Sequence, residues 1–325
     1  MKVSVVTPNY NGLKFLKAYF DSLALQAEFI EEIVIVDNGS EDGSVEFIES
    51  LNENYPVDIK LIKNKENLGF APAVNQGIRA SKSEYVYSLN NDVELEKDTV
   101  EMIVRDMDDS IAIGENPFSF SSKMIQFNNR NLIDDAGDEY TILGWTRKAG
   151  DGKPLGKYDE KREIFSSCGG AALYRRSVLD KIGLFDDKFF AYLEDMDLSY
   201  RAQINGYRNF FSPRSIVYHK GSGTSGSRYN EFKVRISARN NLWLAYKNLV
   251  LPQKILNFIF LFIGFFIKYV FFLRKGFGHV YLDGLKEGFK TRKKLDRVEF
   301  KRANWKNYFK IEWKLIKNTI NYLRI

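Results

Sequence analysis

Four short apolar, β-branched runs constrain this chain more than any other feature: VSVVT (3–7), EIVIVD (32–37), VDIKLIK (57–63) and YVYSLN (85–90). Stretches with helical spacing separate and follow them, near 13–26, 42–53, 70–81 and 96–108. A strand buried on one face alternates apolar and polar residues, whereas a continuously apolar strand is buried on both. Runs of the second kind separated by helices predict an α/β fold, a mostly parallel, Rossmann-like sheet with helices on both faces. Further strands are expected near 119–127, 170–175 and 215–219, and the polar, Gly-rich stretch 134–162 reads as a long loop or hairpin over the sheet.

Charge divides the chain. Residues 228–325 carry 22 Lys and Arg against 6 Asp and Glu, while residues 1–227 carry 26 against 36. This asymmetry predicts an anionic partner for the C-terminal part, either nucleic acid or a membrane surface. Within it, ILNFIFLFIGFFIKYVFFL (255–273) is nearly all apolar and just long enough to span a bilayer. Lys254, Asn257, Gly264, Lys268 and Lys275 nevertheless share one helical stripe. An in-plane or shallow re-entrant helix is therefore favoured over a true span or a buried or oligomer-facing helix. With basic, aromatic segments at 279–295 and 304–323 and no nucleic-acid-binding motif, a membrane surface is the expected partner and nucleic acid is not. The expected organisation is an α/β domain over 1–227, in two halves of about 1–110 and about 111–227. A helical membrane-associated region, 228–325, follows. The single cysteine, Cys168, leaves no intramolecular disulfide and fits a reducing compartment, and MKVSVVTPNYNG does not read as a signal peptide.

Ligands of open α/β sheets bind beyond the carboxyl ends of the strands, where strand order switches. The loop after the first strand, Thr7-Pro8-Asn9-Tyr10-Asn11-Gly12, contains neither a GxGxxG nor a GxxxxGK[ST] fingerprint, which argues against dinucleotide and P-loop chemistry. Asp37 ends the second strand, where a fixed carboxylate can accept the N3–H of a uracil or thymine ring. Ser40 or Asp42 can also cap the next helix. In Asn67-Leu68-Gly69, the glycine would let a ligand approach the backbone at a helix start. The fourth strand runs into Asn90-Asn91-Asp92, where Asp92 can hold a divalent cation against a diphosphate with Asn90 as a neutral helper, or the triplet can be a plain turn.

In this order the segments VVTPNYNG (5–12), IVDNGSEDGS (35–44), NLGFAPAVNQGI (67–78), LNNDV (89–93), GGAALYRRSVLDKIGLFDDKFFAYLEDMDLSYRAQINGYR (169–208) and SIVYHKGSGTS (215–225) resemble the family 2 glycosyltransferases, which use a GT-A fold. The likeness is closest to their bacterial rhamnosyltransferase-like branch and covers roughly residues 3–245. It implies that Thr7, Pro8, Asn9, Asp37 and Asn67 surround a nucleotide. Asn90-Asn91-Asp92 then stands for the family's D-x-D motif, with one carboxylate replaced by an amide. It also suggests His219 as a further metal or diphosphate ligand, although a lone histidine near a strand end is more often structural. The ion would be Mn²⁺ or Mg²⁺.

The family's E-D motif matches Glu194-Asp195 in FFAYLEDMDLSYR (189–201). Acids in a first helical turn also answer the helix dipole, and Asp197 and Arg201 have ordinary ion-pair spacing. For an inverting transfer, Asp195 is the expected base and Glu194 its partner or a holder of acceptor hydroxyls. Gly169 and Gly170 would let acceptor or sugar pass the backbone, or simply pack tightly. Trp145 is a candidate for stacking on an acceptor sugar, the Gly221–Ser225 loop could close on the donor, and Cys168 reads as buried packing. The expected activity moves a sugar from a UDP- or dTDP-sugar to a saccharide, lipid-linked by inference from the tail, at the cytoplasmic face of a membrane. A nucleotidyltransferase and a non-catalytic saccharide-binding membrane scaffold are the alternatives.

Overall fold

The computed structural model describes residues 1–51, 54–221 and 229–324. The chain begins with β1 (Val3–Asn9), α1 (Leu13–Ala24), β2 (Ile30–Asp37), α2 (Ser44–Leu51), β3 (Ile59–Lys63), α3 (Phe70–Ala80) and β4 (Tyr85–Leu89). It continues through β5 (Val93–Leu95), α4 (Thr99–Ala112), β6 (Pro117–Gln126), β7 (Ile133–Asp135), β8 (Asp138–Tyr140), β9 (Thr146–Lys148), β10 (Arg162–Ile164) and β11 (Ala171–Arg175). Then come α5 (Arg176–Ile182), α6 (Glu194–Ile204), β12 (Arg208–His219), α7 (Glu231–Asn248), α8 (Leu251–Arg274), α9 (Gly278–Thr291) and α10 (Trp305–Leu323).

The sheet runs β10-β12-β6-β11-β4-β1-β2-β3. β1 lies parallel to both β2 and β4, so strand order reverses between β1 and β4. The continuous apolar character of the first strands has the expected cause. Val3, Val5, Ile33, Ile35, Tyr85 and Tyr87 pack on α1 and α4, while the alternate residues Val6, Val34 and Val86 pack on α3, α5 and α6. Side chains two apart share a face, so each strand feeds two cores.

β11 enters antiparallel to β4 and β6, making the sheet mixed. β12 begins at Arg208, earlier than its apolar end suggests, because it pairs in parallel with β6 along its length. The stretch expected as a loop or hairpin contains the β8–β9 hairpin, which sets Asp138 opposite Lys148.

The C-terminal helices do not stand apart from this body. α6, α7 and α10 share a core of Met196, Tyr200, Leu244, Tyr308, Ile311 and Leu315. α8 is inverted: its buried residues are Gln253, Asn257 and Gly264. The two amides bind Glu312 of α10 at 2.8 and 3.1 Å. At Gly264 a Cβ would lie 2.0 Å from the Leu143 carbonyl, so the glycine admits the 141–145 turn. Ile255, Phe258, Phe262, Phe266 and Phe271 of α8 face outward, joined by Trp305, Phe309 and Trp313 of α10. Among the described residues, α8 is the one helix long and apolar enough to cross a membrane.

Candidate active site

The strand ends at the switch point are stitched together by side chains. Asn91 donates to Asn9 at 2.6 Å, and Asn9 donates to Asp37 at 2.7 Å, linking the ends of β4, β1 and β2. Asp37 also accepts from the Gly39 and Ser40 amides and the Ser40 hydroxyl. A base N–H reaches this carboxylate only in exchange for one of those donors. Tyr10 is exposed at the loop tip, Pro8 is half-buried, and the Asn67 side chain accepts from the Gly69 amide at 2.9 Å.

Two expectations for this end are corrected. Thr7 is fully buried against Tyr19 of α1, so its hydroxyl faces the core and not a nucleotide. Gly69, at φ +97°, does not leave its backbone open to a ligand, because Phe190 fills the space and would sit 2.6 Å from an added Cβ.

Asp92 follows β4 and is nearly buried. β5 pairs with β12 so that Val93 faces His219, which sets the imidazole beside Asp92. His219 Nε2 lies 3.6 Å from Asp92 Oδ1, and that oxygen is buried without a hydrogen-bond partner among the described residues. The other ring nitrogen, Nδ1, is held by Asp134 at 2.6 Å. Asp134 is there because β7 and β12 both pair with the end of β6. Burial disfavours the imidazolium, but Asp134 and Asp92 outweigh it and push the His219 pKa up to about 9. An orphaned carboxylate oxygen facing a ring nitrogen across a gap, with the second nitrogen oriented by another acid, fits a divalent cation. Of the loop Gly221–Ser225, residues 222–225 lie outside the described residues.

The second acid site adjoins the first through Gly169-Gly170. The Gly169 amide donates to Asp195 Oδ2 at 3.1 Å, and the Gly170 carbonyl accepts from the Asn90 amide at 2.9 Å. A Cβ on Gly170 would meet the Asn90 side chain at 2.9 Å, and one on Gly169 would meet Phe70 at 3.2 Å. The pair is close-packed, and it seats Asp195 and the Asn90-Asn91-Asp92 turn on neighbouring residues. Burial raises the pKa of Asp195 above the usual aspartate range, against the Gly169 and Met196 amides that lower it. Glu194 is pushed well up, first by burial and then by Asp195, and its Oε2 has no partner among the described residues.

Around Asp195 stands a group that sequence reasoning missed. Asp135, Asp138 and Cys168 bring their ligand atoms within 4.8 Å of one another. Lys148 binds Asp134 at 3.1 Å and lies close enough to favour the ionised form of Asp195. Asp135 is fully buried with its pKa raised to about 6 by desolvation. The same burial, with the nearby acids, drives the Cys168 thiol well up, which disfavours a thiolate nucleophile. The D-D-A-G-D spacing at 134–138 was the available signal. Trp145 is not among these groups: its indole N–H binds the Gly264 carbonyl at 3.0 Å and its ring packs edgewise on Tyr322, fastening the hairpin to α8 and α10.

One acid thus lies at the switch point of the sheet and a second at the start of an adjacent helix. The chain belongs to glycosyl transferase family 2, whose model matches residues 4–183; a second model, glycosyl transferase family group 2, matches residues 156–279. It is 23% identical over 249 residues to the N-acetylglucosaminyl-diphospho-decaprenol L-rhamnosyltransferase of Mycobacterium tuberculosis, covering 68% of this chain and 77% of that protein. It is 24% identical to the poly-beta-1,6-N-acetyl-D-glucosamine synthase of Staphylococcus aureus, covering 71% of this chain and 55% of the synthase, so it spans about half of that relative. Among solved structures, S. aureus TarS 1-349 in complex with UDP-GlcNAc aligns with a TM-score of 0.58 at 18% identity, covering 96% of this chain and 91% of that one. The mannosyltransferase PcManGT of Pyrobaculum calidifontis, in complex with GDP-Man and Mn²⁺, aligns with a TM-score of 0.56 at 14% identity over 99% of this chain and 87% of its own. These likenesses establish the GT-A fold, and the family makes the chain a glycosyltransferase.

Proposed function

We propose that the chain is an inverting, divalent-cation-assisted glycosyltransferase that moves a sugar from a UDP- or dTDP-sugar to a hydroxyl of a lipid-linked saccharide, at the cytoplasmic face of a membrane. The observation that carries this reading is the pairing of two unlike acid sites across Gly169-Gly170. One is the Asp92–His219 pair with its free oxygen, and the other is Asp195 with a raised pKa.

Asp92 and His219 would hold Mn²⁺ or Mg²⁺, which supplies charge neutralisation for a departing nucleoside diphosphate. With a cation bound, the imidazole would be neutral, and its Nδ1 contact with Asp134 would leave Nε2 as the ligand atom on the Asp92 side. Pro8, Asn9, Tyr10, Asp37, Asn67, Asn90 and Asn91 form the strand-end cradle for the nucleotide, largely through the loop shapes their hydrogen bonds fix.

On the other side, Asp195 takes the proton of the acceptor hydroxyl as its oxygen bonds to the anomeric carbon and the bond to the diphosphate breaks. A single displacement of this kind inverts the anomeric configuration. The raised pKa suits a base that must release its proton near neutrality. The unpartnered Oε2 of Glu194 supports a role for this residue in holding an acceptor hydroxyl. Support for a lipid-linked acceptor comes from the apolar face of α8 and from the decaprenol-linked substrate in the mycobacterial relative's name.

The test is donor turnover with a panel of UDP- and dTDP-sugars, with Mn²⁺, Mg²⁺ or chelator. Release of the nucleoside diphosphate, lost on chelation and in Asp92→Asn, with an inverted linkage by NMR, is the expected result. Pyrophosphate as product, a retained anomer or indifference to chelator would each overturn the corresponding part.

A further inference from the structure

A cavity of about 240 Å³ lies between α7 and α9, lined by Lys188, Arg239, Trp243, Glu287, Lys294 and Leu295. It is outside the site described above, and its charge is unbalanced. Glu287 is shared between Arg239 and Arg235. Among the described residues Lys188 pairs only with the almost fully exposed Asp296, and Lys294 has no ion-pair partner. Arg292 and Lys293 precede Lys294 on the same turn. An indole floor under a guanidinium, 4.3 Å from the ring, with two lysines at the rim, suits a phosphate group.

The surroundings decide where such a phosphate would come from. Phe289, on the last turn of α9, is exposed beside the rim, and Arg292 stacks 3.6 Å over its ring. α9 packs on α8, whose Phe272 stacks on Tyr281 with ring centres 5.2 Å apart. The outward apolar face of α8 and the mouth of the cavity therefore belong to one helical unit. Apolar anchors beside a cationic mouth match the boundary where a bilayer changes from chains to head groups.

The inner wall leads back toward the catalytic helix. Phe189 packs on Trp243, with ring centres 5.8 Å apart, and its carbonyl accepts from Arg239 at 3.1 Å. Five residues further along the chain stands Glu194.

We propose that this cavity binds the phosphate or diphosphate group of a membrane amphiphile and so orients a lipid-linked acceptor toward Asp195. The proposal rests on the reading above that the acceptor is lipid-linked. Two lipids supply that chemistry, the prenyl diphosphate of the acceptor and the head group of a bilayer phospholipid.

The experiment is co-sedimentation of the full chain with phosphatidylcholine vesicles carrying, at equal surface charge, either a long-chain prenyl diphosphate or phosphatidylglycerol. Wild type is compared with Lys188→Ala/Lys294→Glu and with the control Lys306→Glu/Lys310→Glu on α10. A roughly tenfold loss confined to prenyl diphosphate vesicles in the cavity variant is expected, with the control weakening both kinds alike. A loss in the cavity variant on both kinds that exceeds the control's assigns the pocket to bilayer head groups. A loss no larger than the control's on either kind overturns the proposal. Thermal unfolding with inorganic diphosphate, stabilising wild type and not the cavity variant, reads the pocket without a membrane. Donor turnover in the absence of acceptor tests the glycosyltransferase reading separately, because the cavity variant leaves that machinery intact.

Discussion

Asp195 and Asp197 stand two residues apart at the start of one helix and have opposite electrostatic fates. Asp195 accepts from two backbone amides, meets no cation at contact distance among the described residues, and has its pKa raised by burial. Asp197 is buried more completely, and burial alone would raise it too. Lys247 at 2.9 Å, Arg201 at 2.9 Å and Asn248 at 2.8 Å outweigh that and hold it below the usual range. The same residue type, on the same turn, is an acid with a raised pKa in one register and a structural anion in the other. What separates them is which neighbour the helix face meets. Asp195 faces Gly169 at the sheet ends, and Asp197 faces α7.

The linkage follows with opposite signs. Asp197 contributes stability above its unfolded pKa, lost as pH falls through its depressed folded value. Asp195 and Glu194 contribute stability at low pH, lost as pH rises through their raised values. Asp195→Asn is therefore expected to fold at neutral pH as stably as wild type or more so, while sugar transfer falls about 10²–10⁴-fold. Transfer rates and thermal unfolding measured on one preparation check this. A variant that stays active, or that loses activity only by unfolding, would erase the distinction between the two acids.

The second test works from the other acid. Lys247→Met leaves Asp197 buried with Arg201 and Asn248 but removes one cation, and breaking a buried ion pair costs about 3–5 kcal/mol. Asp186 loses its 2.7 Å contact with the same lysine. Denaturant unfolding should show this loss, with donor affinity in the folded fraction unchanged. A stability change below about 1 kcal/mol, the range of exposed pairs, would mean that solvent reaches the cluster.

Much of this architecture was legible because local patterns carried it. The apolar runs located β1 to β4, and the acids at 92, 194 and 195 stood out by position and by resemblance. What sequence could not supply was pairing between distant segments. Asp134 reaches His219 only because β7 and β12 both add to β6, and nothing in the polar stretch 134–162 announces that. The glycines were ambiguous for a related reason. A bare Gly-Gly or Leu-Gly-Phe signals close approach without saying by what, and in this structure Phe190, Phe70 and Asn90 are the groups that approach. The tail divided in the same way. Its apolar face was readable, but α7 serves α6, through Lys247 and through Asn240.

Asn240 gives the smallest expected effect and the finest division between the two acids. Phe190, Tyr192 and Leu193 have φ of 65°, 70° and 70°, a left-handed conformation that costs roughly 1–3 kcal/mol for each non-glycine residue. The buried Asn240 amide lies 3.0, 2.9 and 2.7 Å from the Phe189, Ala191 and Tyr192 carbonyls, compensating part of that cost. The loop it holds sets the direction in which α6 starts, and so where Asp195 points, whereas Asp197 is gripped independently by Lys247 and Arg201. Asn240→Ala should lose roughly 1–3 kcal/mol of stability. With a misdirected base, kcat should fall about tenfold while KM for the donor changes less, since the proposed nucleotide cradle meets this loop at one place, where Phe190 packs on Gly69 beside Asn67. If donor KM rises in step with the fall in kcat, the loop supports both halves of the site, and the separation of acceptor end from donor end fails.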